Sequence, residues 1–332
     1  MKVSVLVPVY GVEKYIERCA RSLFEQTYPD LEYVFVNDCT PDHSIEILKK
    51  VMEEYPERKD AVRIVNHAKN RGLAAARNTA YDNAGGSFVI MVDSDDWLEL
   101  NAIELLVKKQ METGADFVFG IMRMYFSDRI DELQAPSVFD KEEYVLKRLG
   151  NGWDNILCGR LIRRAVIENN HVRAIEGCNM AEDKYQMALI SYYADSLAVC
   201  EKYIYNYERR NDNSIVSYQS KDKTLKNGLQ FLRNNIGLQV FFADKETVFY
   251  EEASKQTMLY ANALLKMIVR FNARQRFQFV IETIDTTESK FWPIIGWAKE
   301  GLRGKLLHQY WFMWMKLTCE RTVRFLKKKT SL

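Results

Sequence analysis

Three acidic residues stand together directly after an apolar run. The segment "MVDSDDW" places Asp93, Asp95 and Asp96 immediately before Trp97. Carboxylates this close repel one another, and an apolar strand offers them no compensating charge. An Asp-x-Asp pair at the end of a buried strand suits Mg²⁺ or Mn²⁺, which accepts one or two carboxylates and completes its coordination with water and substrate phosphates. The alternative is an Asp-rich turn that caps a helix beginning near Leu98.

A second acidic pair, Glu182 and Asp183, lies in "GCNMAEDKYQ" at the start of a predicted helix. Negative side chains are favoured there because the N-terminus of a helix carries the positive end of its dipole. A carboxylate at this place could act as a general base, provided that it lies near a reacting hydroxyl group. The alternative is that the pair only caps the helix.

Three further segments carry groups that suit a nucleotide or a phosphate. Asp38 in "NDCTPD" could accept hydrogen bonds from a base or a ribose, or it could belong to a turn before a helix capped by Asp42. Arg77 in "NRGLAAARN" could face a nucleotide, or it could form an ion pair at the surface. Arg210 in "YNYERRNDNSI" offers a guanidinium group that matches phosphate oxygens, and the alternative is a solvated charged loop.

The first third of the sequence alternates between predicted strands and helices. Continuous apolar runs predict strands buried on both faces, and apolar residues three and four apart predict helices. The predicted strands cover 3–10, 31–37, 61–65, 87–93 and 116–121. The predicted helices begin near residues 12, 41, 72, 99 and 182. Repeated βα units indicate a mostly parallel, doubly wound sheet. Ligands of such sheets bind beyond the carboxyl ends of the strands, and Asp38 and the acids at 93–96 follow predicted strands at these ends.

Composition excludes several other classes of protein. The 332 residues carry a net charge of only +2, unlike a typical nucleic-acid-binding protein. The six cysteines form neither a C-x-x-C pair nor a zinc pattern, so we expect buried thiols in a reducing compartment. The first apolar run is short and meets Pro8, so we expect a strand there and no signal peptide. No apolar stretch reaches the roughly 18 residues of a membrane-spanning helix.

In their order along the chain, these motifs resemble those of the family 2 glycosyltransferases, which have the GT-A fold. The matching strings are "VSVLVPVYGVEKYIERCARSLFEQTYPDLEYVFVNDCTPD", "NRGLAAARNTA", "GGSFVIMVDSDDWL" and "AEDKYQ". Together with the Arg210 loop they extend from residue 3 to about residue 215. The resemblance implies that a sugar passes from a nucleotide-diphospho-sugar, expected to be a UDP-sugar, to a hydroxyl group with inversion. It also implies Mn²⁺ or Mg²⁺ as cofactor.

The resemblance further implies a role for each motif residue. Asp183 matches the catalytic base, with Glu182 beside it, and Asp95 with Asp93 matches the metal ligands. Asp38 matches the acid that contacts the base of the nucleotide. The loop that closes over the diphosphate would contribute Arg210 and Ser214. The full set expected to bind the nucleotide sugar is Pro8, Val9, Tyr10, Glu13, Asp38, Arg77, Asp93, Ser94, Asp96 and Arg210.

The C-terminal part of the chain differs in charge. From residue 291 onward, nine basic residues accompany two acidic ones, with aromatic residues interleaved. Such a segment suits an anionic membrane surface, and the alternative is a helical domain with a solvated basic tail. We therefore predict a GT-A domain at 1–215 and a helical region at 216–332, whose tail at 291–329 contacts the membrane. The expected acceptor is a glycan or lipid-linked glycan of a bacterial surface polysaccharide, modified in the cytoplasm or at the inner face of the membrane.

Other functions fit the sequence less well. A nucleotidyltransferase needs a glycine-rich loop after the first strand, and a dehydrogenase needs G-x-G-x-x-G there. The segment "PVYGVEKY" has neither pattern. The basic tail has no recognised nucleic-acid-binding motif. The main alternative is a catalytically inactive sugar-nucleotide-binding or scaffold protein, and the joint presence of Asp95 and Asp183 argues against it.

Overall fold

The computed structural model describes residues 1–134, 140–150, 155–211 and 221–270. The chain divides into two compact units, Met1–Tyr218 and Gln219–Leu332. This division lies close to residue 215, where the sequence suggests a boundary. The functions assigned to the two parts stay predictions, and Ser214 and the tail at 291–329 lie outside the described residues.

The first unit alternates strands and helices. Its strands are β1 (Val3–Val9), β2 (Leu31–Asn37), β3 (Val62–Asn66), β4 (Phe88–Met91), β5 (Trp97–Leu98), β6 (Phe117–Tyr125), β7 (Ile130–Leu133), β8 (Arg160–Arg163) and β9 (Leu197–Glu208). Its helices are α1 (Ile16–Phe24), α2 (Ser44–Glu53), α3 (Leu73–Asp82), α4 (Ala102–Thr113), α5 (Lys141–Leu149), α6 (Arg164–Glu168) and α7 (Glu182–Tyr193).

The strands form one mixed sheet in the order β3-β2-β1-β4-β8-β6-β9-β5, and β7 pairs with β6. The four strands β3, β2, β1 and β4 run parallel, as the sequence predicts, and β6 runs parallel to β9. The strand β8 runs antiparallel between β4 and β6, and β5 runs antiparallel to β9. Sequence reasoning did not predict β8, because its four residues, "RLIR", are too few to show a period.

The register of the central strands brings two polar turns to one edge of the sheet. Val9 at the end of β1 pairs with Asn37 at the end of β2, and Met91 of β4 lies opposite Leu6. Asp38 therefore leaves the sheet at the same edge as the acids that follow β4. Every residue of β1 is buried, as expected of a strand covered on both faces. Helix α3 packs against β1 and β2.

Three helices begin later than the sequence predicts. Helix α1 begins at Ile16 and α2 at Ser44, because residues 11–13 and 40–44 form turns that bind each other: Gly11 N donates to Thr40 Oγ1 at 2.8 Å. Helix α4 begins at Ala102, because the residues after the acids form β5. The alternative that the acids cap a helix near Leu98 is therefore wrong.

The described part of the second unit consists of two long helices, α8 (Lys221–Phe241) and α9 (Thr247–Arg270). They pack against each other through the stacked rings of Phe231 and Tyr260, whose centroids are 5.2 Å apart. Thr257 Oγ1 also donates to the carbonyl oxygen of Asn235 at 3.1 Å. Within the described ranges, no helix is both long and apolar enough to cross a membrane.

Candidate active site

The acids after β4 form a tight turn, here called the D-x-D turn (residues 93–96). The amide of Asp96 donates to the carbonyl oxygen of Asp93 at 3.0 Å, which closes the turn. The amide of Asp93 donates to the Tyr205 hydroxyl oxygen at 3.1 Å. Trp97 then pairs with Asn206 as β5 joins β9. The turn is therefore held between β4 and β9, at the carboxyl edge where the sequence places it.

Asp96 is fully buried behind this turn. Its carboxylate accepts a hydrogen bond from the Tyr205 hydroxyl at 2.5 Å and another from the Glu208 amide at 2.7 Å. Burial and the nearby charges of Asp95 and Asp93 raise its pKa well above the usual range. The expectation that Asp96 contacts the nucleotide sugar is corrected, because both of its oxygens bind β9. Ser94 is buried as well.

Asp95 is half-buried, and its environment leaves its charge poorly compensated. Its carboxylate accepts a hydrogen bond from Asn211 Nδ2 at 2.9 Å. Burial and the charge of Asp93 raise its pKa to about 6. A bound divalent cation would offset this charge. In the part of the chain that the structure describes, no group of three His, Cys, Asp or Glu side chains is placed to hold a metal ion. Two carboxylates such as those of Asp93 and Asp95 are the number that Mg²⁺ accepts when water and substrate phosphates supply its other ligands.

Arg77 of α3 is only 3% exposed and joins two acids from distant parts of the chain. Its Nη1 donates to Glu182 Oε1 at 2.7 Å, and its Nη2 donates to Asp93 Oδ1 at 3.1 Å. Burial alone would lower the pKa of Arg77, but the two carboxylates raise it well above the usual value. The alternative of a surface ion pair is therefore wrong, because this ion pair is buried.

The acidic pair at the start of α7 divides into a buried and a half-buried residue. Glu182 is buried, and burial raises its pKa to about 7 against the lowering effect of Arg77. Asp183 is half-buried, and burial raises its pKa too, again against the effect of Arg77. The preceding residue, Ala181, has a left-handed φ of 63°, and its side chain does not cap the helix. Because the Glu182 carboxylate binds Arg77, Asp183 is the better placed of the two to act as a base.

Asp38 occupies the same edge of the sheet but is buried beneath it. Its carboxylate accepts hydrogen bonds from the amides of Arg71 at 2.8 Å and Gly72 at 2.7 Å, and it lies 2.7 Å from His67 Nδ1. Gly72 has a φ of 89°, and an added Cβ would lie 2.2 Å from Asn179 Nδ2. Asp38 therefore holds the turn in front of α3. This corrects the expectation that it presents its carboxylate to a nucleotide base.

The residues after β1 differ sharply in exposure. Pro8 and Val9 are buried within the strand, and their place beside a nucleotide stays a prediction. Tyr10 is 50% exposed at the carboxyl edge, so its ring is open to a planar base. Glu13 is also exposed, and its carboxylate accepts a hydrogen bond from the His43 amide at 3.2 Å. Of these four residues, the structure favours Tyr10 and Glu13 for direct contact with a ligand.

The end of β9 carries the contacts that sequence reasoning missed. Buried Glu208 accepts hydrogen bonds from Arg210 Nε at 2.6 Å and from Arg18 Nη2 at 3.1 Å. Despite its burial, these arginines lower the pKa of Glu208 to about 2. Arg18 also covers the Trp97 ring at 3.6 Å and donates to the carbonyl oxygen of Asp95 at 2.9 Å. No local pattern in the sequence marks Arg18 or Glu208, because their partners lie far away along the chain.

The chain is similar to known glycosyltransferases. The model of "Glycosyl transferase family 2" matches residues 4–170, half of the chain. Glycosyltransferase GlyA of Streptococcus pneumoniae is 44% identical over 119 residues, which cover 36% of this chain and 16% of that protein. The uncharacterized glycosyltransferase EpsJ of Bacillus subtilis is 31% identical over 227 residues, which cover 66% of this chain and 64% of that protein. The chain therefore spans less than two thirds of the length of either relative.

Among solved structures, Staphylococcus aureus TarS 1–349 in complex with UDP-GlcNAc matches with a TM-score of 0.58 at 21% identity. The match covers 93% of this chain and 82% of that chain. At this identity the similarity shows the fold alone, and it confirms the GT-A fold expected from the sequence. Because the family model matches half of its length and the motifs follow in the family's order, the chain belongs to glycosyl transferase family 2.

Proposed function

We propose that this chain transfers a sugar from a nucleotide-diphospho-sugar to an acceptor hydroxyl group, with inversion at the anomeric carbon. The observation that carries the proposal is that one guanidinium group binds two acids from distant parts of the chain. Arg77 binds Asp93 of the D-x-D turn and Glu182, the neighbour of Asp183, at the same time. One side chain therefore holds a donor-side acid close to the neighbour of the proposed base, and a direct displacement requires the donor and the base to lie close together.

Asp183 is the base in this proposal. As the acceptor oxygen forms a bond to the anomeric carbon, the bond from that carbon to the diphosphate oxygen breaks on the opposite face. The hydroxyl proton passes to the Asp183 carboxylate. A carboxylate whose pKa is raised by burial holds this proton more readily near neutral pH than an ordinary aspartate does. One base is enough, since a diphosphate leaves without needing a protonated acid of the kind that glycoside hydrolases use.

Asp95 and Asp93 would hold Mn²⁺ or Mg²⁺ together with the donor. Such a cation supplies Lewis-acid stabilisation of the negative charge that grows on the leaving diphosphate. The protein's own part is to keep the two carboxylates in place through Asn211 and Arg77. Arg210 is exposed and paired with Glu208, and it is our candidate for contact with the phosphates.

We propose a UDP-sugar as donor, and the UDP-GlcNAc complex of the similarly folded TarS supports this choice. For the acceptor we propose a glycan or lipid-linked glycan of a surface polysaccharide. The basic and aromatic tail at 291–329 supports action at the inner face of a membrane, where anionic lipid attracts it.

The test is binding and turnover across a panel of nucleotide sugars, with Mn²⁺, with Mg²⁺ and with a chelator. We expect one UDP-sugar to bind only when metal is present, and Asp95→Ala to abolish this binding. The matched control is Asp60→Ala, which removes an exposed acid far from the D-x-D turn in sequence and should leave binding unchanged.

Two results would count against the proposal in different ways. If no nucleotide sugar binds with or without metal, the inactive scaffold becomes the better interpretation. If a UDP-sugar binds equally well to Asp95→Ala, donor binding stands but the assignment of the metal ligands is wrong.

A further inference from the structure

The buried position of Arg77 is hard to reconcile with contact to a nucleotide. The residue is 3% exposed, and both terminal nitrogens of its guanidinium group donate to carboxylates of this chain. A guanidinium group is a rigid planar fork, so two carboxylates bound to it are also fixed relative to each other. One of these carboxylates follows β4, and the other, Glu182, begins α7.

We propose that Arg77 is a positioning residue, which holds the start of α7 against the D-x-D turn and so places Asp183 for its reaction without touching the nucleotide sugar. This inference rests on the proposed function, since it takes Asp183 as the base. It differs from the role that the family resemblance implies for Arg77, which is contact with the nucleotide.

The backbone before α7 supports this role. Ala181 adopts a left-handed φ of 63°, which a residue with a Cβ atom avoids unless its surroundings impose it. The next residue is Glu182, whose carboxylate binds Arg77. The buried ion pair therefore lies directly beside the strained residue and is suited to keep it in that conformation.

A second residue of α3, Asn78, binds the segment that leads into α7. Asn78 Nδ2 donates to the carbonyl oxygen of Ala174 at 2.9 Å, and the Ala174 amide donates back to Asn78 Oδ1 at 2.8 Å. In the first turn of α3, the Ala74 amide donates a hydrogen bond to Asn179 Oδ1 at 3.1 Å. Helix α3 thus binds the chain repeatedly on its way into α7, and the bond from Arg77 to Glu182 is the last of these contacts along the chain.

Positioning and donor contact predict opposite kinetics. If Arg77 only positions Asp183, its replacement should lower kcat and leave nucleotide affinity alone, because a displacement of about 1 Å can cost a hundredfold in rate. If Arg77 contacts the donor, its replacement should weaken nucleotide binding.

The experiment compares the full chain with Arg77→Lys, whose single ammonium group can still pair with Asp93 but does not bridge Asp93 and Glu182 as the guanidinium group does. The measurements are the affinity for UDP with Mn²⁺, the kcat and KM for the UDP-sugar that turns over, and amide hydrogen exchange across 176–186. We expect kcat to fall about a hundredfold, UDP affinity to stay within about twofold, and exchange in 181–186 to accelerate. The control is Arg21→Lys, the same substitution at a partly exposed ion pair between Arg21 of α1 and Glu54.

Glu182→Gln provides a second variant with little change in volume, in case Arg77→Lys folds poorly. It should change the same quantities in the same direction, since the neutral amide binds Arg77 more weakly than the carboxylate. A tenfold loss of UDP affinity at unchanged kcat would overturn the inference, and so would unchanged exchange in 181–186. If the unaltered chain neither binds UDP nor turns over a UDP-sugar, the proposed function fails, and the exchange data still decide whether Arg77 holds α7.

Discussion

The D-x-D turn and the start of α7 share one plan. Each carries two neighbouring acids, of which one is buried and bound by the protein while the other is half-buried. At the D-x-D turn Asp96 is the bound acid and Asp95 the half-buried one. At the start of α7 Glu182 is the bound acid and Asp183 the half-buried one. In both regions the bound acid fixes the backbone that carries its neighbour.

The two regions differ in the charge of the groups that hold the buried acid. Asp96 is held by a hydroxyl and an amide, which are neutral, whereas Glu182 is held by the Arg77 cation. Burial and the charges of Asp95 and Asp93 raise the pKa of Asp96 well above its usual range, while the pKa of Glu182, which burial raises and Arg77 lowers, is about 7. The Arg77 cation also binds Asp93, so it compensates part of the charge in both regions. Asp95 instead accepts a hydrogen bond from the neutral amide of Asn211.

The largest effect should come from the half-buried acid of α7. We expect Asp183→Asn to lower kcat by about 10²–10⁴-fold, the range typical of a lost general base, and to leave UDP affinity nearly unchanged. Steady-state kinetics and calorimetry measure the two quantities. Glu176→Gln is the control, because Glu176 is an exposed acid on the segment that leads into α7. If Asp183→Asn kept full turnover, the assignment of Asp183 as the catalytic base would be wrong.

Replacing each of the two bound acids by alanine should reduce the free energy of unfolding, and by more where the partner is a cation. Glu182→Ala leaves Arg77 buried with one carboxylate fewer, and we expect it to reduce the free energy of unfolding by about 3–5 kcal/mol. Asp96→Ala leaves only neutral donors without a partner, and we expect a loss of about 1–3 kcal/mol. Urea unfolding of the full chain measures both values. A larger loss for Asp96→Ala would mean that the neutral contacts to β9 matter more than the ion pair.

The smallest effect concerns pH. Because the pKa of Asp95 is about 6 in the fold and 3.8 in an unperturbed aspartate, the folded chain binds this proton more tightly than the unfolded chain between those values. The contribution of Asp95 to the free energy of unfolding should therefore rise as pH falls from 7 to 5, by about 1 kcal/mol. Comparing the metal-free chain with Asp95→Asn at both pH values isolates this rise. An identical pH dependence in the two proteins would show that Asp95 is not perturbed.

The features that sequence predicted well depend on local signals. Continuous apolar runs marked β1, β2 and β4, and the turn residues after them marked the carboxyl edge of the sheet. Position alone thus brought Asp38 and the acids of the D-x-D turn to one edge of the sheet. The start of α7 was also visible, since an acidic pair precedes a helical pattern there.

The features that sequence could not give depend on partners far away along the chain. Asp38 and Asp96 have the residue type of ligand-binding acids, yet long-range amides and hydroxyls occupy them. Arg18 and Glu208 carry no pattern of their own, and their pairing emerges only when α1 and β9 meet at the D-x-D turn. Burial decides between a ligand contact and a structural role, and residue type does not report burial.

The same long-range contacts set the order in which this site can form. The bond from Arg77 to Glu182 joins residues 105 positions apart, and the bonds from Asp96 to Tyr205 and Glu208 join residues 109 and 112 positions apart. During synthesis, β1 to β4 leave the ribosome well before α7 and β9. The acids of the D-x-D turn then stay hydrated until the later segments arrive, because closing such long loops is slow. Burial of the site's charge therefore belongs to the last stage of folding, after the parallel half of the sheet exists.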